Sequence, residues 1–175
     1  PSLHRTLARR WRDANPTTRQ LETLCAELQD REDAICVSTG MAAIWLALLG
    51  NLRAGDRIVF FVESYRPIRS LVRERLPEFG IAHTMLSFHD HATIAETFSR
   101  EDAKLLVFEA PTNPMLQVPD LDAILKLART NGVTTVLDNT FGGLHNHGDY
   151  PVDLFTHSLT KYASGHGDVM GGVVV

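Results

Sequence analysis

Seven short apolar runs, closed by turn residues and mostly spaced by helical patterns, constrain what this chain can fold into. They are "AICVS" (34–38), "RIVFF" (57–61), "IAHTML" (81–86), "LLVFEA" (105–110), "TTVLD" (134–138), "LFTHS" (154–158) and "VMGGVVV" (169–175). They are β-branched or aromatic and largely not alternating, the pattern of strands covered on both faces. In "TTRQLETLCAELQDRE", Leu21, Leu24, Cys25 and Leu28 recur at helical spacing, with Thr17 or Thr18 available as a cap. "GMAAIWLALLGNL" is apolar all round, which predicts a buried helix ending near Gly50 and Asn51. "YRPIRSLVRERLPEFG" and "PDLDAILKLARTNG" follow, the second with Asp120 near its start and Gly132 past its end. Strands alternating with helices predict an α/β fold: a mainly parallel, doubly wound sheet in three layers. Ligands of such sheets bind beyond the carboxyl ends of the strands.

At 175 residues and 44% hydrophobic content, the chain is long enough to bury one core. The net charge is -4, with Lys and Arg scattered among acids, so no basic stripe exists to track nucleic-acid phosphates. No apolar run reaches the roughly 20 residues that span a bilayer, and the start has no signal-peptide core. Neither nucleic acid nor membrane is an expected partner. Cys25 and Cys36 stand in unlike settings without CxxC spacing, which suggests buried thiols in a reducing, cytoplasmic compartment. A first residue Pro1 and a final apolar run that reads as a buried strand suggest a piece of a longer polypeptide.

The predicted strand ends carry Ser38-Thr39-Gly40, Glu109, Asp138-Asn139 and Ser158, which one site can collect. "STGMAAI" passes from a strand end into a helix, so the N–H groups of Gly40 and Met41 lie where a helix start attracts an anion such as phosphate. A plain cap by Ser38 or Thr39 explains the same stretch. Asp138 at the edge of the core requires a partner, because an unpaired buried charge costs several kcal/mol. That partner is either a protonated ring nitrogen of a cofactor or a structural salt bridge. Lys161 lies in "HSLTKYASGHGD" (157–168), too polar for core and too tightly turned for a helix. It is either a solvated charge or a Schiff-base amine, with the Ser158 and Thr160 hydroxyls placed for a phosphate. An anion nest, an acid for a pyridinium and an amine for an aldehyde together describe pyridoxal 5'-phosphate.

Other motifs carry less. His89 with His91 and His145 with His147 are i, i+2 pairs in predicted loops, without a third and fourth ligand, so no metal is expected. "GHGDVMGG" has Met170 at the third glycine position of a dinucleotide fingerprint and precedes a strand instead of a helix.

Five ordered stretches, "RDANPT" (12–17), "STGMAAI" (38–44), "EAPTNP" (109–114), "DNTF" (138–141) and "HSLTKYASGHGD", carry a family resemblance from about Arg12 to Val175. The chain resembles the pyridoxal-phosphate enzymes of cysteine and methionine metabolism. This trans-sulfuration group includes cystathionine γ-synthase, cystathionine lyases, methionine γ-lyase and O-acetylhomoserine sulfhydrylase. The resemblance implies the large domain of the aspartate-aminotransferase-like, fold type I transferases. Residues 17–175 would form that domain, residues 1–16 an arm toward a neighbouring subunit, and a C-terminal domain would be absent.

It further implies Lys161 as the Schiff-base lysine and Asp138 as the partner of the pyridinium nitrogen. Gly40, Met41, Ser158 and Thr160 match the phosphate cradle, Tyr65 the tyrosine stacked on the ring, and Asn113 the turn facing the cofactor hydroxyl. Arg12 resembles an arginine that reaches the phosphate of the neighbouring subunit, implying a dimer or tetramer. The implied substrates are amino acids of the cystathionine, O-acylhomoserine or cysteine class. The implied chemistry is β- or γ-elimination or γ-replacement, with cystathionine γ-synthase or lyase as the nearest models.

Departures are visible too. Arg10 stands where the family often has tyrosine, and "YRPI" (65–68) replaces Tyr-Gly-Gly-Thr. Pro67 at the position of the methionine γ-lyase cysteine argues against that member. The altered loop is the one feature favouring an alternative, a non-catalytic, cofactor-binding homologue or scaffold with the same fold.

Overall fold

The computed structural model describes residues 15–100 and 102–175. Its order is α1 (Pro16–Leu28), β1 (Ile35–Val37), α2 (Gly40–Asn51), β2 (Arg57–Phe61), α3 (Arg66–Ser70), β3 (Ala82–Leu86), α4 (His91–Arg100), β4 (Ala103–Glu109), α5 (Leu121–Thr130), β5 (Thr134–Asp138), β6 (Leu154–Ser158) and β7 (Gly172–Val174). The sheet runs β1-β7-β6-β5-β4-β2-β3. Its pairs are parallel except those of β7, which is antiparallel to both β1 and β6.

Burial on both faces explains the unalternating runs of the inner strands β2, β4, β5, β6 and β7, whereas the edge strands β1 and β3, expected to be covered as well, are only partly buried and leave Ile35 and Met85 exposed. Val59, Phe61, Leu106, Phe108 and Leu137 pack on one side with residues of α1, α4 and α5. Ile58, Phe60, Leu105, Val107 and Val136 pack on the other with α2 and α3. Each such fully buried side chain contributes about 1.5–3 kcal/mol of transfer free energy. The result is the predicted three-layer α/β sandwich.

Several local expectations are corrected. The cap of α1 is Asn15, not Thr17 or Thr18: its Oδ1 accepts from Thr17 N (2.9 Å) and Thr18 N (3.4 Å), with Pro16 beginning the helix. Cys25, Ala26 and Gln29 turn inward from α1, whereas Leu21 and Leu24 stay exposed. Residues 91–100, where the sequence pattern suggests a loop only around His89 and His91 and no helix is expected, form helix α4, whose Ile94, Thr97 and Phe98 are buried and whose Thr93 N–H is capped by Asp90. The segment after Tyr65 is not one α-helix. A π turn (Leu71–Arg75) and a 3-10 turn (Leu76–Phe79) follow α3. Pro77, lacking an N–H, cannot continue the ladder. Of "VMGGVVV", only Gly172–Val174 pair as a strand, and Val169 and Met170 are exposed in the preceding loop.

No helix among the described residues is long and apolar enough to cross a membrane. Cys25 and Cys36 are both free, and their side chains meet between α1 and β1. Burial pushes both thiols up, Cys36 to about 12.

Candidate active site

Register puts the polar strand ends side by side. Glu109 on β4 is level with Asp138 on β5, and Asp138 is level with Thr156, two residues before Ser158 on β6. Across this edge lies a cavity of about 610 Å³, lined by Gly40, Met41, Tyr65, Asn113, Asp138, Ser158, Thr160 and Lys161. All the predicted site residues except Arg12 are therefore brought to one place. Arg12 lies outside the described residues.

The helix start of α2 closes one end. Thr39 caps it, its hydroxyl accepting from Ala42 N at 3.1 Å. Helix geometry leaves the preceding N–H groups, those of Gly40 and Met41, as donors toward the cavity. The Thr39 cap thus leaves the first two helix N–H groups available. A Cβ on Gly40 would lie 2.6 Å from Ser158 Cβ, and one on Gly172 would lie 2.1 Å from the Thr39 carbonyl oxygen. Glycine at these positions lets α2, β6 and β7 converge as a narrow cradle.

Asp138 is buried, and its hydrogen bonds fall on one oxygen. Oδ1 accepts from Thr140 N (3.1 Å) and Thr140 Oγ1 (2.6 Å). Thr140 Oγ1 in turn accepts from Ser158 N at 2.9 Å, tying the acid to the cradle. Burial raises the Asp138 carboxyl above its ordinary range, against the lowering effect of the Thr140 hydrogen bonds. Among the described residues no basic side chain forms a salt bridge with it. With one oxygen committed to Thr140 and no salt bridge among the described residues, the acid has its other oxygen available to a partner in the cavity.

Lys161 sits at the rim in a turn, its N–H donating to Ser158 O (3.1 Å) and its carbonyl accepting from Gly165 N (3.0 Å). The main chain thus holds it one turn beyond β6. Thr160 lines the same cavity while its hydroxyl exchanges hydrogen bonds with the Gly171 backbone. Phe141 and Tyr162, 5.7 Å apart between ring centroids, add an aromatic wall.

Behind the cavity runs a buried polar network. His157 Nε2 lies 2.7 Å from Gln29 Oε1, and Asn139 Nδ2 donates to the same oxygen at 3.3 Å. Asn139 Oδ1 meets His147 Nδ1 at 2.8 Å. His147 is thereby committed to Asn139. Among the described residues no three His, Cys, Asp or Glu side chains gather as a metal site.

Sequence reasoning points to neither Thr140 nor Gln29, and places Glu109 at the strand-end site without saying what it touches. Thr140 stood inside the quoted "DNTF" and Glu109 opened "EAPTNP", but what each touches depends on sheet register. Gln29 carries no local signal.

A family model described as Cys/Met metabolism PLP-dependent enzyme matches residues 9–175. The cystathionine β-lyase MetC of Bacillus subtilis is 37% identical over 164 residues, covering 93% of this chain and 42% of that protein. The L-methionine γ-lyase of Fusobacterium nucleatum subsp. nucleatum is 38% identical over 166 residues, covering 92% and 41%. The crystal structure of cystathionine γ-synthase from Xanthomonas oryzae pv. oryzae, in complex with cystathionine, superposes with a TM-score of 0.88 at 35% identity, covering 93% and 42%. The chain belongs to the Cys/Met metabolism family of pyridoxal-phosphate-dependent enzymes. It spans about two-fifths of the length of these relatives.

The residues present fit pyridoxal 5'-phosphate. The close approach of Gly40 and Ser158 suits a phosphate, and the buried, raised acid of Asp138 suits a ring cation.

Proposed function

We propose that this chain forms the cofactor-binding part of a trans-sulfuration enzyme. The enzyme would act on sulfur-containing or O-acylated amino acids by β- or γ-elimination or γ-replacement, in the manner of cystathionine γ-synthase or lyase. The observation that carries the reading is the convergence of Gly40, Met41, Tyr65, Asn113, Asp138, Ser158, Thr160 and Lys161 on one cavity. Substrates of the cystathionine, O-acylhomoserine or cysteine class follow from the family's chemistry and from the cystathionine in the Xanthomonas complex.

Pyridoxal 5'-phosphate supplies, when bound, an electron-withdrawing ring that stabilises negative charge at the α-carbon of an amino acid. In this reading the helix-start N–H groups of Gly40 and Met41 and the Ser158 hydroxyl would hold the phosphate, joined by Thr160 once its hydroxyl proton turns from the Gly171 carbonyl. Asp138 keeps a proton on the ring nitrogen, with Thr140 fixing its carboxylate. Tyr65 would hold the ring and Asn113 its hydroxyl. The Nζ of Lys161 would hold the aldehyde end of the group and, once displaced from it by the substrate amine, would be free to take or return a proton at the substrate α-carbon.

Residues 1–16 act as an arm, residues 17–175 as the large domain, and Arg12 reaches the phosphate held by a neighbouring copy, so the working unit is a dimer or tetramer. Two free thiols favour a cytoplasmic setting. The test is borohydride reduction of the protein loaded with pyridoxal 5'-phosphate, followed by peptide mapping. The pyridoxyl label is expected on Lys161, and a label on another lysine sinks the assignment.

A further inference from the structure

The roof of the cavity is built from two loops that are far apart in sequence. Tyr65 follows β2, and Asn113 follows β4 in a turn whose Ala110–Pro111 and Asn113–Pro114 bonds are cis. A single side-chain atom joins them. Glu109 Oε2 accepts the backbone N–H of Tyr65 at 2.9 Å and that of Asn113 at 3.0 Å. Glu109 is itself buried, 3% exposed, at the last residue of β4 and on the wall of the same cavity.

We propose that Glu109 is a positioning residue of this site, one that sets Tyr65 and Asn113 in register with each other over the cofactor ring. The proposal rests on the reading of the cavity as a pyridoxal-phosphate site. Three observations make the tie more than local packing. Without Glu109, both N–H groups lose an acceptor, in a region where buried backbone donors require one. Tyr65 caps α3 without a side-chain hydrogen bond: its carbonyl accepts from Ile68 N (3.0 Å) and Arg69 N (3.2 Å), while its own N–H, on the side away from the helix, is held by Glu109. The β4 strand that carries Glu109 is also in register with Asp138, so the tie is referenced to the acid below the ring.

The chemistry needed is reach and an acceptor oxygen, and charge is dispensable. Burial, with a smaller contribution from the Asp138 charge and against the lowering effect of the Asn113 and Tyr65 N–H groups, pushes the Glu109 carboxyl up to about 8. A neutral acid accepts both N–H groups through one oxygen, as a glutamine amide oxygen would.

Two conservative variants separate reach from charge. Glu109→Gln keeps the length and the acceptor, whereas Glu109→Asp keeps the acid and withdraws it by one methylene. Each is loaded with pyridoxal 5'-phosphate and compared with the unsubstituted protein. The readouts are cofactor dissociation constant, induced circular dichroism of the visible band per bound cofactor, and melting temperature. Glu109→Gln is expected to keep affinity and ellipticity within about twofold, while Glu109→Asp weakens affinity by roughly tenfold and loses most of the ellipticity. The reverse order overturns the proposal, and so does equal behaviour of the two variants in either direction. A shift in melting temperature alone, with unchanged ellipticity in both, likewise reduces Glu109 to a structural tie. If the unsubstituted protein acquires no visible band, the underlying reading fails and the proposal with it; a band with indifferent variants overturns the proposal alone.

Discussion

Gly40 and Ser158 stand so close that a Cβ on the glycine would fall 2.6 Å from the serine Cβ and 3.0 Å from its Cα. The obstacle includes backbone at the end of β6, which cannot swing aside as a long side chain would. Gly40→Ala should therefore force the helix start away from the strand end, at a cost of about 1–3 kcal/mol from overpacking. We expect roughly tenfold weaker retention of pyridoxal 5'-phosphate, since 1.4 kcal/mol is tenfold in affinity. Equilibrium dialysis against the free cofactor measures it, and an unchanged dissociation constant would remove the cradle from the phosphate site.

Asp138→Asn should leave the fold nearly intact, because an amide oxygen still accepts from Thr140. The variant removes the negative charge proposed to hold a proton on the ring nitrogen. Turnover of a sulfur amino acid should fall about a hundredfold or more, the scale of losing one preorganised electrostatic partner. Cofactor affinity should change far less. Steady-state kinetics beside cofactor titration decides it, and near-normal turnover would return Asp138 to a merely structural role.

His157 gives a pH prediction of definite sign. Burial pulls its imidazole down to about 4 from an ordinary 6.5. Between those values the unfolded chain binds a proton that the folded chain refuses, so stability is full above pH 6.5 and falls as pH drops toward 4, by about 3 kcal/mol. Replacing His157 by Gln should lower the melting temperature at pH 7 yet flatten its decline between pH 6.5 and 4. Parallel melting curves for the two proteins across that window would refute the burial argument.

Glu109 works in the opposite direction. Its carboxyl ionises near 4.5 when unfolded and at about 8 when folded, so its contribution to stability diminishes as pH rises from 4.5 to 8. The melting temperature of Glu109→Gln minus that of the unsubstituted protein should increase between pH 5 and pH 8. Calorimetry at those two pH values is sufficient, and a difference that shrinks or stays constant contradicts it.

Arg12 is proposed to serve a neighbouring copy, which predicts complementation. Arg12→Ala and Lys161→Ala proteins, each inactive, should regain activity on subunit exchange, because one of the two sites in a hybrid dimer keeps both residues. No recovery after exchange verified by a tag on one parent would place Arg12 on its own subunit or outside the site.

The strands were legible because burial on both sheet faces leaves unbroken apolar runs such as "RIVFF" and "LLVFEA", and the turn after each run marked the carboxyl edge where the site lies. Helix α4 was missed although Ile94 and Phe98 are spaced for one face, since "HATIAETFSR" is rich in residues of modest helix propensity. Asn15 was overlooked as a cap because Thr17 and Thr18 offered the same chemistry two residues on. Glu109 shows the deeper limit. Its role depends on the N–H groups of Tyr65 and Asn113 arriving at one oxygen, and Tyr65 lies 44 residues away in sequence. No local pattern encodes that meeting.

Among the described residues, strand β1 finds its only sheet partner in β7, with Ile35 opposite Val174 and Val37 opposite Gly172. The segment leading into the helix start at Gly40 is therefore fastened by residues some 135 positions later in the chain. Closing so long a loop is entropically slow, and it comes after the local hairpins and crossovers have had time to form. During synthesis, the helix start at Gly40 must wait for β7 to emerge before its approach to the strand ends is fixed. A nascent chain stalled before Gly172 would hold the acid of Asp138 and the lysine of position 161 but have no fixed place to lodge a phosphate.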